Sequence, residues 1–205
     1  MALLLDLQAS PSATTRSDLL MTTETTFLSD GLVAIRPWRA ADAQPAFDAI
    51  LESRAETAMW LADISRVASV AEIEDYIVHA TEGWTNASNY NFAIVDALDT
   101  TFLGSCGLTQ VNRRHLYANL YYWVRTSQTG RGIASQATRL AARFGCEVLG
   151  LQRIEVVVEV DNGASLRAAA KAGAVHEGVL RNRLNSRGAA RNAVMFSFVP
   201  SDFDL

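Results

Sequence analysis

Apolar and polar positions alternate from Leu32 to Arg36, which predicts a strand, and Pro37 then removes a ladder donor and places that strand at a sheet edge. From Ala40 to Arg54 the period changes, with Ala43, Ala46, Phe47, Ile50 and Leu51 at helical spacing. Asp42 falls early in this helix, where a carboxylate suits the helix dipole. A second helix is predicted over Val70 to Trp84, with Ile73, Ile77 and Ala80 on its inner face. Between the two, Met59, Trp60 and Leu61 carry much apolar surface for a loop. They either border a substrate mouth or pack across the helix pair, the commoner role of large apolar side chains.

Asn91 to Leu98, Phe102 to Val111 and His115 to Val124 read as three strands, the first two joined by a short turn at Asp99-Thr100. Such short connections imply an antiparallel meander. Ile133 to Leu149 is the clearest helix: Ile133, Ala137, Leu140, Ala141, Phe144 and Val148 form one stripe, and Gly150 supplies a stop. Arg153 to Val160 alternates again, with Ile154, Val156, Val158 and Val160 on one face and Glu155, Val157 and Glu159 on the other. A strand, a crossover helix and a strand give parallel pairing, predicted between Leu120 to Val124 and Ile154 to Val158. Asp161-Asn162-Gly163 then breaks the chain before a short helix, Ala164 to Ala172, closed by Gly173. Val175 to Leu184 and Ala193 to Val199 form a final hairpin around Ser186-Arg187-Gly188.

At 205 residues the chain fits one well-buried core. A net charge of −4 argues against nucleic acid as a partner. His79, His115 and His176 stand far apart, and Cys106 and Cys146 have no ligand spacing, so no metal site is expected. Both cysteines read as reduced core residues of a cytoplasmic protein. Only Lys171 among the 18 basic residues is lysine, an arginine and alanine bias expected of a GC-rich bacterial genome. Leu3 to Leu7 is interrupted by Asp6 and lacks the basic flank of a signal peptide. No apolar run approaches the roughly 18 to 20 residues that span a bilayer, so no membrane association is expected. Residues 1–26 read as a disordered N-terminal extension, within which Met21 is an alternative start, and 27–205 as a single domain.

The stretch Tyr121 to Ala134 carries the candidate chemistry: an aromatic and β-branched run, polar turn formers, Gly130 and Gly132, then the helix. The first turn of a helix leaves backbone N–H groups unpaired at the positive end of its dipole, ready for an anion. Glycines allow phosphate to approach the backbone, and Arg131 adds a cation. The other reading is a tight left-handed turn before an ordinary helix, because short glycine motifs are weakly specific.

The element order, with this loop and with Asp-Asn-Gly-Ala-Ser entering the following helix, resembles the GNAT superfamily of acyl-CoA-dependent N-acyltransferases across Leu32 to Val199. Gly-Arg-Gly-Ile-Ala-Ser-Gln-Ala, Leu-Gln-Arg-Ile-Glu-Val, Val-Asp-Asn-Gly-Ala-Ser and Glu-Gly-Val-Leu-Arg are similar to the RimJ/RimL-type branch, which acetylates ribosomal-protein N-termini. The superfamily's loop signature falls on Thr129, Gly132 and Ala134, where Thr129 departs from the Arg or Gln of the pattern and Gln128 stands next to it. The resemblance implies an α+β (α/β) GNAT fold: a mixed, mostly antiparallel sheet with flanking helices, in which the parallel fourth and fifth predicted strands splay apart. It implies acetyl-CoA as cofactor, bound by Trp123, Val124, Arg125, Gln128, Thr129, Gly130, Arg131, Gly132, Ile133, Ala134, Asn162 and Ser165.

Acetyl would move to a primary amine, either a protein N-terminal α-amine or a small molecule, by direct attack in a ternary complex. By resemblance, the Val124 region supplies a backbone N–H to the oxyanion, and Ser165 hydrogen-bonds or protonates the departing sulfur. Asn162 and Ser165 also suit plain helix capping. The positions where relatives carry a glutamate base are occupied by Asn119 and Leu184, leaving Glu155, Glu159, and Tyr121 or Tyr122 acting through water as candidates. An acyl-cysteine route through Cys106 is disfavoured, because no histidine is near in sequence. Arg181, Arg183, Arg187 and Arg191 in the last hairpin are either solvated charges or a steering patch. A noncatalytic acyl-CoA-binding or partner-recognition module that lost its base is the alternative function, and a homodimer is expected by analogy.

Overall fold

The computed structural model describes residues 26–205, so the expectations for the N-terminal extension and its alternative start fall, Thr26 apart, outside the described residues. Among the described residues eight strands form one sheet in the order β1-β2-β3-β4-β5-β6-β8-β7. The strands are β1 Leu28–Ser29, β2 Val33–Pro37, β3 Tyr90–Asp96, β4 Phe102–Asn112, β5 Tyr117–Val124, β6 Arg153–Glu159, β7 Val175–Ser186 and β8 Ala189–Phe198. All neighbours pair antiparallel except β5 and β6. Pro37 ends a strand one place inside the edge, because the two-residue β1 pairs outside it. So short a strand leaves no periodicity in the sequence.

Helices cover both faces. α1 (Ala43–Trp60) and α3 (Val70–Thr85), with the single-turn α2 (Ala62–Ser65) between them, pack with Ala34, Ala93, Val95, Phe102 and Trp123 on one face. α4 (Ile133–Glu147) and α5 (Gly163–Lys171) pack on the other with Phe92, Phe144, Ile154, Val156 and Phe198. The alternation in β6 therefore sorts as read: Ile154, Val156 and Val158 enter the α4 core.

α1 runs six residues beyond the predicted end at Arg54 and absorbs Met59 and Trp60. Its inner face continues through Ser53 and Thr57, buried but polar, with the Thr57 hydroxyl donating to the Ser53 carbonyl at 2.9 Å. Hydrophobic periodicity cannot see such a face, whereas Ala55, Glu56 and Ala58 are good helix formers. The final hairpin is also longer than predicted. Its two-residue turn, Arg187 and Gly188 at φ 52° and 71°, matches the left-handed pair that tight hairpins favour.

The parallel pairing differs most from expectation. It joins Tyr117–Asn119 to Arg153–Glu155 and stops there, so Leu120 to Val124 does not pair with β6. β5 stays bonded to β4 as far as Val124, and β6 to β8 as far as Glu159. Each strand is thus held on its outer side while the inner sides part, and a gap opens in the middle of the sheet from Asn119 and Glu155 outward.

Candidate active site

Beyond Asn119 the inner side of β5 presents main-chain groups that β6 does not satisfy, and such groups require partners. The end of β5 is fixed by Gly104 on β4, where a Cβ would stand 2.2 Å from the Trp123 carbonyl oxygen. Only glycine permits that approach. Trp123 is buried against Phe102, and the Arg125 N–H bonds the Leu103 carbonyl at 2.9 Å.

The loop from β5 to α4 is braced by α1. The Arg125 guanidinium pairs with Glu52, the Ser127 N–H donates to the Glu52 carboxylate at 2.7 Å, and the Thr126 N–H donates to the Ser53 hydroxyl at 2.9 Å. The Arg125 side chain first, and then the Ser127 N–H, lower the Glu52 pKa to about 2. Gln128 receives a hydrogen bond from Arg131, and the Thr129 hydroxyl donates to the Thr126 carbonyl at 2.9 Å. Gly130 and Gly132 hold φ 78° and 86°, a region costly to β-branched residues, and Gly132 is the N-cap of α4. The buried Ile133 anchors this helix start, and the first-turn N–H groups from Ile133 and Ala134 have no intrahelical acceptor.

One basic residue here escaped the sequence reading. A Cβ on Gly132 would stand 3.4 Å from Lys171 Nζ, so the C-terminal end of α5 places its ammonium beside the glycine loop. The only sequence signal was that this is the sole lysine.

The catalytic candidates divide between the faces. Tyr122 donates from its hydroxyl to the Ser165 carbonyl at 2.9 Å, on the α4 side. Ser165 lies in the first turn of α5, its N–H bonded to the capping Asn162 side chain at 3.1 Å. Burial pushes the Tyr122 pKa up to about 12. On the opposite face, Tyr121 joins a network with Tyr76 (2.9 Å), Asn91 (3.1 Å) and Ser105 (3.3 Å), and burial raises its pKa well above the usual phenol value.

Glu155 stands at the closed end of the gap and accepts a 2.8 Å bond from Arg153, whose guanidinium also grips Glu177. Glu159, at the open end of the same face, is buried and bonded by Arg187. Arg181 and Arg183 are exposed and remain apart from this contact. Cys106 is fully buried, and burial pushes its thiol far up.

Residues 33–175 match the family model of the acetyltransferase (GNAT) domain. The chain belongs to the GNAT acetyltransferase family. Spermidine N(1)-acetyltransferase of Escherichia coli (strain K12) is 29% identical over 91 residues, which cover 44% of this chain and 49% of that protein. Mycobacterium smegmatis RimJ, solved in complex with CoA-disulfide, has a TM-score of 0.77 at 24% identity over 85% of each chain. The ribosomal-protein-S5-alanine acetyltransferase of Vibrio fischeri has a TM-score of 0.75 at 18% identity, covering 86% of this chain and 98% of that one. The open GNAT sheet and the acetyltransferase class are therefore those that the motifs implied, and the reading as a noncatalytic module gives way to an enzyme.

The residues at the gap fit coenzyme A on observations of this chain alone. Nothing lies within 4 Å of a Cβ built on Gly130, the helix start offers unpaired N–H groups, and Arg131 and Lys171 flank it. The inner side of β5 is free to bond amides as a strand would.

Proposed function

We propose that this GNAT chain transfers acetyl from acetyl-CoA to a small primary amine by direct attack within a ternary complex. The observation that carries this reading is the mid-sheet gap, lined by unpaired backbone on one side and leading to the glycine loop. Acetyl-CoA, when bound, supplies an acyl group activated as a thioester.

Residues of this chain do the rest. Gly130 to Ala134 hold the diphosphate through main-chain N–H groups, with Lys171 and Arg131 as counter-charges. Val124 orients the pantetheine arm through its backbone, while the Trp123 carbonyl and the Arg125 N–H, turned toward β4, hold the end of the strand in place. Arg125 and Gln128 act on this site indirectly, because their side chains brace the loop against Glu52 and Arg131. The Ser165 hydroxyl lies in the first turn of α5 and relays a proton to the leaving sulfur, regaining one from the nitrogen as the amine adds and the carbon–sulfur bond breaks. Tyr122 positions that turn and stays protonated. Glu155, engaged by Arg153, fixes the closed end of the gap. Orientation of two reactants in one cleft supplies much of the rate, with effective molarities of roughly 10⁵ M in favourable cases.

Direct transfer is supported by Cys106, whose buried thiol has no accessible thiolate for an acyl-enzyme. A small acceptor is supported by Arg187, which ties the final hairpin to the end of α1 through the Met59 carbonyl at 2.6 Å. The spermidine-acetylating relative points the same way. Initial-rate measurements of CoA release across amines and peptides test the reading. Intersecting double-reciprocal lines with small amines are expected; parallel lines, or turnover confined to peptides, would overturn it.

A further inference from the structure

Groups from three distant parts of the chain meet at the outer end of β6. Glu159, its last residue, is 6% exposed and accepts a hydrogen bond from the Arg187 guanidinium. The same guanidinium donates to the Met59 carbonyl at 2.6 Å and lies 5.1 Å from the centre of the Trp60 ring. Arg191 Nε stands 4.0 Å from the same carboxylate oxygen and has no hydrogen-bond partner, although buried.

Strand register places this cluster at the gap. Asn119 and Glu155 are the last paired residues, and Trp123 and Glu159 each lie four residues beyond that point, on the two strands that part to either side of the gap. Both side chains belong to the face shared with α1 and α3, opposite Tyr122 and Ser165. Glu159 therefore borders the gap on the side from which an acceptor reaches the end of β5.

A carboxylate this buried requires a cation. The chain supplies one from the hairpin tip, through a side chain that is 34% exposed and so open to exchange. A carboxylate, a main-chain carbonyl and an aromatic face form a receptor for any ammonium ion as well as for guanidinium. Exchanging one cation for another leaves the local charge unchanged, and Arg191 stays beside the carboxylate throughout.

We propose that Glu159, the Met59 carbonyl and Trp60 form a cation site for the acceptor. Arg187 is its resident occupant, displaced by the second positive charge of a diamine or polyamine. The inference rests on the acetyltransferase reading of the same gap. It assigns Glu159 and Arg187 to acceptor selection: a monoamine brings no second charge to displace the guanidinium.

The test measures CoA release by the full chain with acetyl-CoA and either putrescine or n-butylamine, which share one carbon chain. A kcat/KM ratio of about tenfold in favour of putrescine is expected, beyond the statistical factor of about two for its paired amines. Glu159→Gln should bring the ratio close to that statistical factor. Arg187→Ala should lower the putrescine KM about fivefold by removing the competing cation, and Arg187→Lys should restore it. Loss of a merely structural clasp would instead raise that KM.

Equal rates for the two amines in the wild type, a ratio retained in Glu159→Gln, or a raised putrescine KM in Arg187→Ala would each overturn the proposal. Should Glu159→Gln not fold, the wild-type ratio must still fall with added salt, and a salt-independent ratio counts against the site. Turnover of both amines without preference removes only the cation site. No turnover of any amine, with acetyl-CoA bound, removes the transferase reading and this proposal together.

Discussion

The Tyr122 hydroxyl donates to the Ser165 carbonyl at 2.9 Å, so a side chain of β5 reaches across the gap to the first turn of α5. With its pKa raised to about 12, this phenol is a donor at neutral pH, not a base. Tyr122→Phe removes one hydrogen bond and is expected to cost about 1 kcal/mol of stability. Thermal melting reads that cost. Turnover should fall severalfold through loosening of the Ser165 turn, and an unchanged kcat would show that the turn does not depend on the phenol.

Ser165→Ala tests the proposed proton donor itself. The Asn162 cap bonds the Ser165 N–H and not its hydroxyl, so the substitution leaves the cap in place. Turnover is expected to drop about a hundredfold while acetyl-CoA affinity changes little. Calorimetric titration with CoA and steady-state rates separate the two effects, and full turnover in the variant removes Ser165 from catalysis.

Replacing both Gly130 and Gly132 by valine puts β-branched side chains at φ 78° and 86°. Each position costs about 1 to 3 kcal/mol if the loop keeps its shape, so the loop should rearrange. The core does not depend on these residues, and the far-ultraviolet circular dichroism should persist while CoA binding is lost. Retained tight binding would place the diphosphate elsewhere.

Glu52 makes the link between α1 and the loop sensitive to pH. Its folded pKa is lowered from 4.5 to about 2, so its contribution is complete above about 4.5 and lost as pH falls through 2. Arg125→Ala removes the largest cause. Carboxylate titration by NMR should then show Glu52 rising toward 4.5, and the loss of stability between pH 4.5 and 2 should become shallower. Glu177, lowered to about 2 mainly by Arg153, leaves a residual slope in the variant. Solvent screening keeps the Glu52–Arg125 pair to about 1 kcal/mol or less.

Periodicity carried most of this architecture. The α4 stripe, the alternation in β6 and the meander from β3 to β5 needed only residue type and spacing. What escaped has physical causes. Ser53 and Thr57 are buried polar residues, so the helix face they continue has no apolar signature. Apolar alternation shows that β5 and β6 are strands but not where their pairing ceases. The glycine loop was legible because positive φ demands a particular residue. Lys171 beside Gly132, and Arg187 on Met59 across 128 positions, are products of tertiary packing that no local pattern announces.

The unzipped stretch between β5 and β6 also bears on self-association. Bare strand edges at the rim of a sheet invite neighbouring molecules and promote aggregation. Here the adhesive backbone lies in the interior of the sheet, flanked by β4 and β8 and closed at Asn119 and Glu155. A foreign strand running along β5 meets that closed end, so the geometry of the gap limits how far another chain can pair along it.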